Sequence, residues 1–222
     1  MRVVGLSCLC LVIGLGLAVP AMAADDEFPV DPGSLSVRQT PNGTKISVRA
    51  RKGSVSRNAG QSPLLSGAQF HIFNSAGGTD DLCAQLPASN WRVNGTDDFG
   101  DPISFVYRDS RNDFGPVRAA HFGAVGNSGL GDFKVQLGHA EYTLDEASQG
   151  SIGVSLRMAN LFPPAPTNHT TYCTDFAPPY ATISRDATGR FRAKFNSPNQ
   201  FGGPCPVAPS SCSPGGAFLD AD

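Results

Sequence analysis

The sequence has 222 residues, with 17 Lys and Arg against 19 Asp and Glu and a formal net charge of −2. This near balance, without a block of basic residues, gives no electrostatic footprint for nucleic acid and none for an anionic membrane surface. The length lies within the range that a single β-domain reaches.

Residues 1–23 have the pattern of a secretory signal peptide. Arg2 supplies a positive charge, residues 3–19 are almost entirely apolar, and Ala21-Met22-Ala23 is the small-x-small pattern that precedes cleavage. A membrane anchor is the less favoured alternative, because the apolar run is only about 17 residues long and no basic stop signal flanks it. We therefore predict cleavage after Ala23, a secreted or periplasmic mature chain, and no membrane insertion of that chain.

The next residues, 24–34, are acidic and contain prolines, which predicts a flexible N-terminal arm. Beyond them, apolar and polar residues alternate, as in Lys45–Arg51. This period of two is typical of a strand with one face on a core and the other in water. The pattern recurs at residues 68–73, 103–107, 133–137, 152–158 and 191–195.

Turn signals such as Asn42-Gly43 and Thr188-Gly189 separate the alternating segments. Short strands divided by turns are typical of a sandwich or barrel, and strands that bury one side favour antiparallel pairing. The sequence therefore predicts one all-β domain over residues 35–222, an antiparallel two-sheet β-sandwich of about ten strands with a Pro/Gly/Ser-rich tail. Helix signals are scarce: only residues 144–148 indicate a helical turn, and residues 161–167, with three prolines, indicate an exposed loop.

Four cysteines remain after removal of the predicted signal peptide: Cys83, Cys173, Cys205 and Cys212. An even number in an exported chain indicates two disulfides, for which three connectivities are possible. A zinc site is the alternative, but no pair has the short C-x-x-C spacing that zinc sites favour.

Several short motifs follow one another in the C-terminal half. Residues 142–152 read YTLDEASQGSI, residues 172–176 read YCTDF, a basic alternating strand occupies residues 191–195, and Pro204-Cys205-Pro206 comes after it. This succession resembles a group of uncharacterised exported bacterial proteins, over about residues 44–206. The resemblance supports export and assigns no activity.

The same resemblance implies a disulfide between Cys173 and Cys205. The predicted pairs are then Cys173–Cys205 and Cys83–Cys212, and the second bridge would tie down the tail.

Acidic residues gather in two predicted turns. Asp97, Asp98 and Asp101 fall in one turn, and Asp109 and Asp113 flank the next. Calcium takes several carboxylate and carbonyl oxygens from flexible loops, so these five residues would form a calcium site if both turns lay at the same end of the sandwich. The alternative is that each aspartate caps the backbone of an exposed turn.

Trp91 is the only tryptophan, just before the Asn94-Gly95 turn. An exposed aromatic residue at a sandwich edge can stack on sugar rings, so Trp91 is a candidate glycan contact; the alternative is a core or rim filler. The four histidines are scattered singly, and only His139, two residues from Glu141, comes near to having the carboxylate neighbour that functional histidines usually have.

No convergent set of acid, base and nucleophile is visible in the sequence. We therefore expect a non-enzymatic binding or structural module of the cell envelope or extracellular space, with a glycan or another cell-surface component as its partner. The alternatives are a secreted hydrolase with carboxylates from separate strands and a calcium-stabilised adhesion module.

Overall fold

A computed structural model describes residues 26–56, 62–124, 130–159, 169–195, 203–209 and 212. The predicted signal peptide and the proline-rich segment 161–167 lie outside these ranges. None of the helices within the ranges reaches the length and hydropathy of a membrane span.

The described residues form short strands, one helical turn α1 (Pro63–Ser66) and one 3-10 turn (Ala88–Asn90). The strands are β1 (Asp26–Pro29), β2 (Pro32–Thr40), β3 (Gly43–Ala50), β4 (Val55–Ser56), β5 (Ala68–Asn74), β6 (Asp81–Leu86), β7 (Trp91–Val93), β8 (Ser104–Arg108), β9 (Val117–Ala124), β10 (Leu130–Ala140), β11 (Ile152–Ala159), β12 (His169–Phe176), β13 (Ala181–Ala187) and β14 (Arg190–Phe195).

The strands build two sheets, which confirms the predicted all-β sandwich. The smaller sheet has the order β1-β12-β11-β5-β6, and the larger has the order β13-β14-β2-β3-β10-β9-β8-β7, with β4 also paired to β10. Neighbouring strands are antiparallel except β1, which runs parallel to β12. The strand count exceeds the expected ten because edge strands such as β1, β4 and β7 are too short to show alternation.

The core follows from the period of two in the sequence. In β3, Ile46 and Val48 are buried while Lys45 and Arg49 are exposed, because successive side chains point to opposite faces of the sheet. Buried residues of both sheets belong to one hydrophobic cluster. Burying each large side chain of this cluster stabilises the fold by roughly 1.5–3 kcal/mol.

Within the predicted flexible N-terminal arm, residues 26–29 and 32–34 lie in strands instead. β1 pairs with β12, β2 begins at Pro32, and Val30 is buried and donates its backbone N–H to the Cys173 carbonyl at 2.8 Å. The acidic residues and prolines of this segment predicted flexibility. Two of its apolar side chains, Phe28 and Val30, nevertheless pack on the core and anchor it.

The predicted helical turn at residues 144–148 is also wrong, since this segment is irregular. The helical turn is α1, which Ser62 caps by accepting a hydrogen bond from the Leu64 backbone N–H at 3.4 Å.

Both predicted disulfides are present, Cys83–Cys212 and Cys173–Cys205, with Cα–Cα distances of 5.5 and 5.4 Å. They hold the C-terminal segment against the outward face of the smaller sheet. A Cβ atom on Gly153 would lie 2.9 Å from Cγ of Pro206, so the segment rests directly on β11.

Candidate functional site

The structure places the two predicted calcium loops at opposite ends of one strand. Asp97, Asp98 and Asp101 lie between β7 and β8, whereas Asp109 and Asp113 lie between β8 and β9. β8 has five residues, so it separates the loops by about 17 Å. Because consecutive antiparallel strands turn at alternate ends of a sheet, the five predicted ligands do not converge.

Within these loops, aspartates cap their own turns. Asp97 Oδ1 accepts hydrogen bonds from the backbone N–H groups of Phe99 and Asp101, each at 2.9 Å. Asp109 is 4% exposed and accepts two bonds from backbone N–H groups of its own loop, at 3.0 and 2.9 Å. The turn-capping alternative therefore describes both residues.

Trp91 is a core residue and not an exposed glycan contact. It is 4% exposed, its ring centroid lies 5.5 Å from that of Tyr107, and its Nε1 donates to the Leu86 carbonyl at 3.3 Å. The partnered N–H explains how the indole is accommodated in the interior.

Most of the positive charge lies in the larger sheet. Its strands hold eleven of the 17 Lys and Arg residues, and the acidic residues in the same strands are Asp132 and Asp186. The basic side chains are exposed or, for Lys134, half-buried, and they alternate with core residues, so they form one outward surface that we call the basic face. The eleven residues are Arg38, Lys45, Arg49, Arg92, Arg108, Arg118, Lys134, Arg185, Arg190, Arg192 and Lys194.

Strand register aligns the outward residues in rows across the sheet. A basic row consists of Lys194, Ser34, Arg49, Lys134, His121, Val106 and Arg92. A polar row beside it consists of Arg192, Ser36, Ser47, Gln136, Ala119 and Arg108. The polar row crosses six strands and therefore extends for about 24 Å.

Four guanidinium groups meet at one end of the polar row. Arg190 pairs directly with Arg38, and Arg192 pairs directly with Arg185. Together with Ser36 and Ser184, the four arginines line an open groove of about 500 Å³, which we call the arginine groove. None of the four forms an ion pair with another described residue.

A second groove, of about 420 Å³, lies near the other end of the polar row and includes Arg108, Arg118 and Gln136. The Arg118 side chain lies over Gly138, where an added Cβ would come within 2.8 Å of its Cδ atom. The glycine therefore lets this arginine lie flat across β10.

Asp132 holds the basic row together. Its side chain is 0% exposed, and its Oδ2 lies 3.0 Å from the Arg49 guanidinium and 3.6 Å from Lys134 Nζ. His121 Nδ1 lies 3.1 Å from Oδ1, so a third basic side chain contacts this carboxylate. Burial alone would raise the pKa of Asp132, but His121, Lys134 and Arg49 together lower it.

The carboxylate of Asp186, the second acidic residue of the sheet, is also engaged in hydrogen bonds. Its oxygens accept hydrogen bonds from the backbone N–H groups of Gln149 at 2.7 Å and Gly150 at 3.0 Å, and from Ser148. Burial opposes ionisation of Asp186, and these three donors lower its pKa. The basic face therefore lacks a free carboxylate among the described strand residues.

The sequence contains a signal for the basic face that net charge conceals. Charged residues separated by an even number of positions, as Arg190, Arg192 and Lys194 are, point to the same side of a strand, and so do Lys45 and Arg49. Which strands share a sheet depends on pairing between distant segments. The total charge of the basic face is therefore visible in the structure and not in the composition. No protein-family model, curated protein or solved structure matches this chain.

Proposed function

We propose that this chain is a non-enzymatic, exported binding module that holds an anionic polysaccharide on the basic face. The arginine groove carries the proposal. Like charges directly opposite one another on neighbouring strands destabilise a sheet, and this sheet has two such pairs, Arg190 with Arg38 and Arg192 with Arg185. An anion in the groove would offset that repulsion and accept hydrogen bonds from the guanidinium forks.

The dimensions of the face favour a polymer over a single small anion. Arginines stand at both ends of the polar row, about 24 Å apart. Between them lie Ser36, Ser47 and Gln136, whose hydroxyl and amide groups can hydrogen-bond to sugar hydroxyls. A chain of acidic sugars would contact both grooves at once.

The side chains of the face favour a polysaccharide over nucleic acid or lipid. The described outward residues of both rows include no aromatic ring apart from His121, whereas single-stranded nucleic acids are held largely by base stacking on aromatic rings. They also include no large apolar side chain to insert among lipids beyond Val106. The two disulfides favour an oxidising compartment such as a cell surface, which is where a polysaccharide partner would be found.

Binding without hydrolysis is favoured because glycosidases generally need two carboxyl groups about 5–10 Å apart on the sugar-binding surface. Asp132 is enclosed by three basic side chains and Asp186 is held by the loop at residues 148–150. Neither is in a position to act on a sugar lying over the rows.

The test is binding of the oxidised protein to immobilised polygalacturonate, with neutral dextran as the reference polymer. We expect binding to polygalacturonate alone, weakening strongly between about 50 and 200 mM salt, as polyelectrolyte binding does. The double variant Arg38→Gln/Arg190→Gln should lose about tenfold or more in affinity, because hydrogen bonds to charged groups contribute roughly 1.5–3 kcal/mol each.

The matched control is Lys52→Gln/Arg111→Gln, which removes the same charge from exposed residues outside the strands. If both double variants lost the same affinity for polygalacturonate, the effect would depend on net charge alone. That result would contradict the proposal. Tighter binding to a DNA duplex or to anionic vesicles than to polygalacturonate would assign the face to a different class of partner.

A further inference from the structure

A group of carboxylates lies where the β5–β6 turn meets the segment between β10 and β11. Asp80, Asp145 and Glu146 each offer one carboxylate oxygen, and these three oxygens lie within 4.8 Å of one another. Asp80 is buried, Glu146 is half-buried and Asp145 is exposed, so the group is open to solvent on one side. Two turns far apart in sequence thus supply one acidic cluster.

The spacing of these oxygens suits calcium. Calcium–oxygen distances are about 2.3–2.6 Å, so oxygens on opposite sides of one ion lie up to about 5 Å apart. Magnesium demands a near-ideal octahedron at about 2.0–2.1 Å and loses its water reluctantly, so carboxylates from an irregular, partly exposed segment favour calcium.

The buried carboxylate is a second and separate indication of a ligand. Asp80 is 3% exposed; its Oδ1 accepts a hydrogen bond from Thr143, whereas its buried Oδ2 accepts none from an N–H or hydroxyl group, and the Glu146 carboxylate lies beside it in the cluster. The ion pairs of the described residues include none of the three carboxylates, in contrast to Asp132 with its three basic neighbours. An ionised carboxylate this deep is unfavourable without a positive charge beside it.

Tyr142 directly precedes Thr143, whose side chain hydrogen-bonds to Asp80. Its side chain is 1% exposed, and its hydroxyl group has no hydrogen-bond partner. A buried hydroxyl group without a partner is therefore one residue away from the hydrogen-bond donor of Asp80.

The surrounding residues hold the cluster in shape. Gln149 is buried; its Nε2 donates to Glu146 Oε2, and its Oε1 accepts from Asn74 Nδ2 at 3.1 Å. Gly78 leaves room for Glu146, because a Cβ atom there would lie 2.7 Å from Glu146 Oε1. Outer hydrogen bonds of this kind orient ligands for a metal ion.

We propose that Asp80, Asp145 and Glu146 bind a calcium ion, with water completing its coordination. This site is separate from the basic face and does not depend on the polysaccharide proposal. The ion would join the β5–β6 turn to the segment between β10 and β11.

The first test is titration of the EDTA-treated, oxidised chain with calcium and with magnesium, followed by thermal melts. We expect calcium to bind with a stoichiometry of one, and more tightly than magnesium. The melting temperature should rise by about 5 °C or more when calcium exceeds its Kd by 100-fold. A wild-type chain that binds no calcium would overturn the proposal.

Variants locate the ion. Asp145→Asn, at an exposed position that cannot prevent folding, should weaken calcium binding about tenfold or more, and Asp80→Asn should do the same. The matched controls Asp98→Asn and Asp101→Asn remove a carboxylate from the β7–β8 loop and should leave the Kd unchanged. Equal Kd values for Asp145→Asn and for the wild type would overturn the site.

Terbium provides a readout of position, since it replaces calcium and emits when a nearby tyrosine is excited. We expect sensitised emission from the wild type that calcium displaces and that Tyr142→Phe removes, with calcium affinity largely retained. Emission that persists in Tyr142→Phe would place the ion elsewhere and overturn the assignment.

Discussion

The outward faces of the two sheets differ in what lies over them. On the larger sheet, β3 alternates between buried and exposed residues, and its Lys45 and Arg49 reach solvent. On the smaller sheet, every residue of β5 is buried, including His71 and Phe73 at outward positions. The C-terminal segment, held by two disulfides, lies against the outward side of this sheet. A side chain on the outward face of a strand is therefore exposed only where no later segment of the chain packs over it.

Burial under the C-terminal segment, which we call the cover, changes the chemistry of the residues beneath it. Burial lowers the pKa of His71, against the opposing effect of its contact with Asp81. The His71 ring also packs against that of Phe73, with the ring centroids 4.7 Å apart. On the basic face, by contrast, charge remains in contact with water and available to a partner.

Opening one of the two disulfides that hold the C-terminal segment is the change with the largest expected effect. Cys83→Ala/Cys212→Ala opens a bridge between residues 129 apart in sequence, which should lower the free energy of unfolding by about 5 kcal/mol on the chain-entropy account. Urea unfolding measures the loss, and hydrogen exchange should show faster exchange in β5. Polygalacturonate binding should persist at temperatures where the variant is folded, since the basic face lies on the other sheet. A loss below about 1 kcal/mol would show that the bridge contributes little to the cover.

A smaller loss is expected from Asp132→Asn, which leaves the Arg49, Lys134 and His121 side chains together without their counter-charge. Removing one partner of a buried ion pair destabilises by about 3–5 kcal/mol, and the partial exposure of Arg49 and Lys134 places the loss near the lower end, at about 3 kcal/mol. Urea unfolding at neutral pH measures it. Asp113→Asn, at an exposed loop position, is the control and should change stability by less than about 0.5 kcal/mol.

The advantage of the wild type over Asp132→Asn should depend on pH with a definite sign. The pKa of Asp132 is lower in the folded protein than its ordinary value, so the unfolded chain takes up the proton first as the pH falls. The stabilisation is therefore complete above about pH 4 to 5 and is lost as the pH falls through the lowered pKa of the folded state. A difference that grew on acidification would contradict this account of the basic row.

The smallest expected effect has the opposite sign. Arg190→Gln removes one charge from a directly opposed pair of arginines, so the free variant should be more stable than the wild type by about 0.2–1 kcal/mol at low salt. Thermal melts should show a rise of about 1–3 °C that disappears at high salt, because salt screens exposed charges. Arg111→Gln, outside the sheet, is the control. A lower melting temperature for Arg190→Gln would mean that this arginine contributes to stability rather than to binding.

Much of the fold could be predicted from local pattern. The alternation in Lys45–Arg51 is a property of adjacent residues, and it located β3 with its correct inward face. Long strands such as β11 and β14 were located in the same way. The N-terminal strand β1 was missed because it has four residues, and its pairing with β12 is a contact across most of the chain.

The candidate sites could not be predicted to the same degree. The acidic turns at Asp97 and Asp109 are close in sequence but lie at opposite ends of β8, whereas Asp80 and Glu146 are distant in sequence and lie together. Proximity in sequence therefore favoured carboxylates that the fold does not bring together. Trp91 was misplaced for a related reason, since nothing near it in the sequence shows that Tyr107 would pack against it.

The sequence by itself determined the all-β class, the alternation of each longer strand and the presence of two disulfides, because these depend on neighbouring residues and on composition. Only the tertiary structure decided that eleven basic residues share one open face, that the C-terminal segment lies against the other sheet, and that Asp80, Asp145 and Glu146 meet. Strand order and register set these features, and both arise from pairing between distant segments, which a local pattern does not encode.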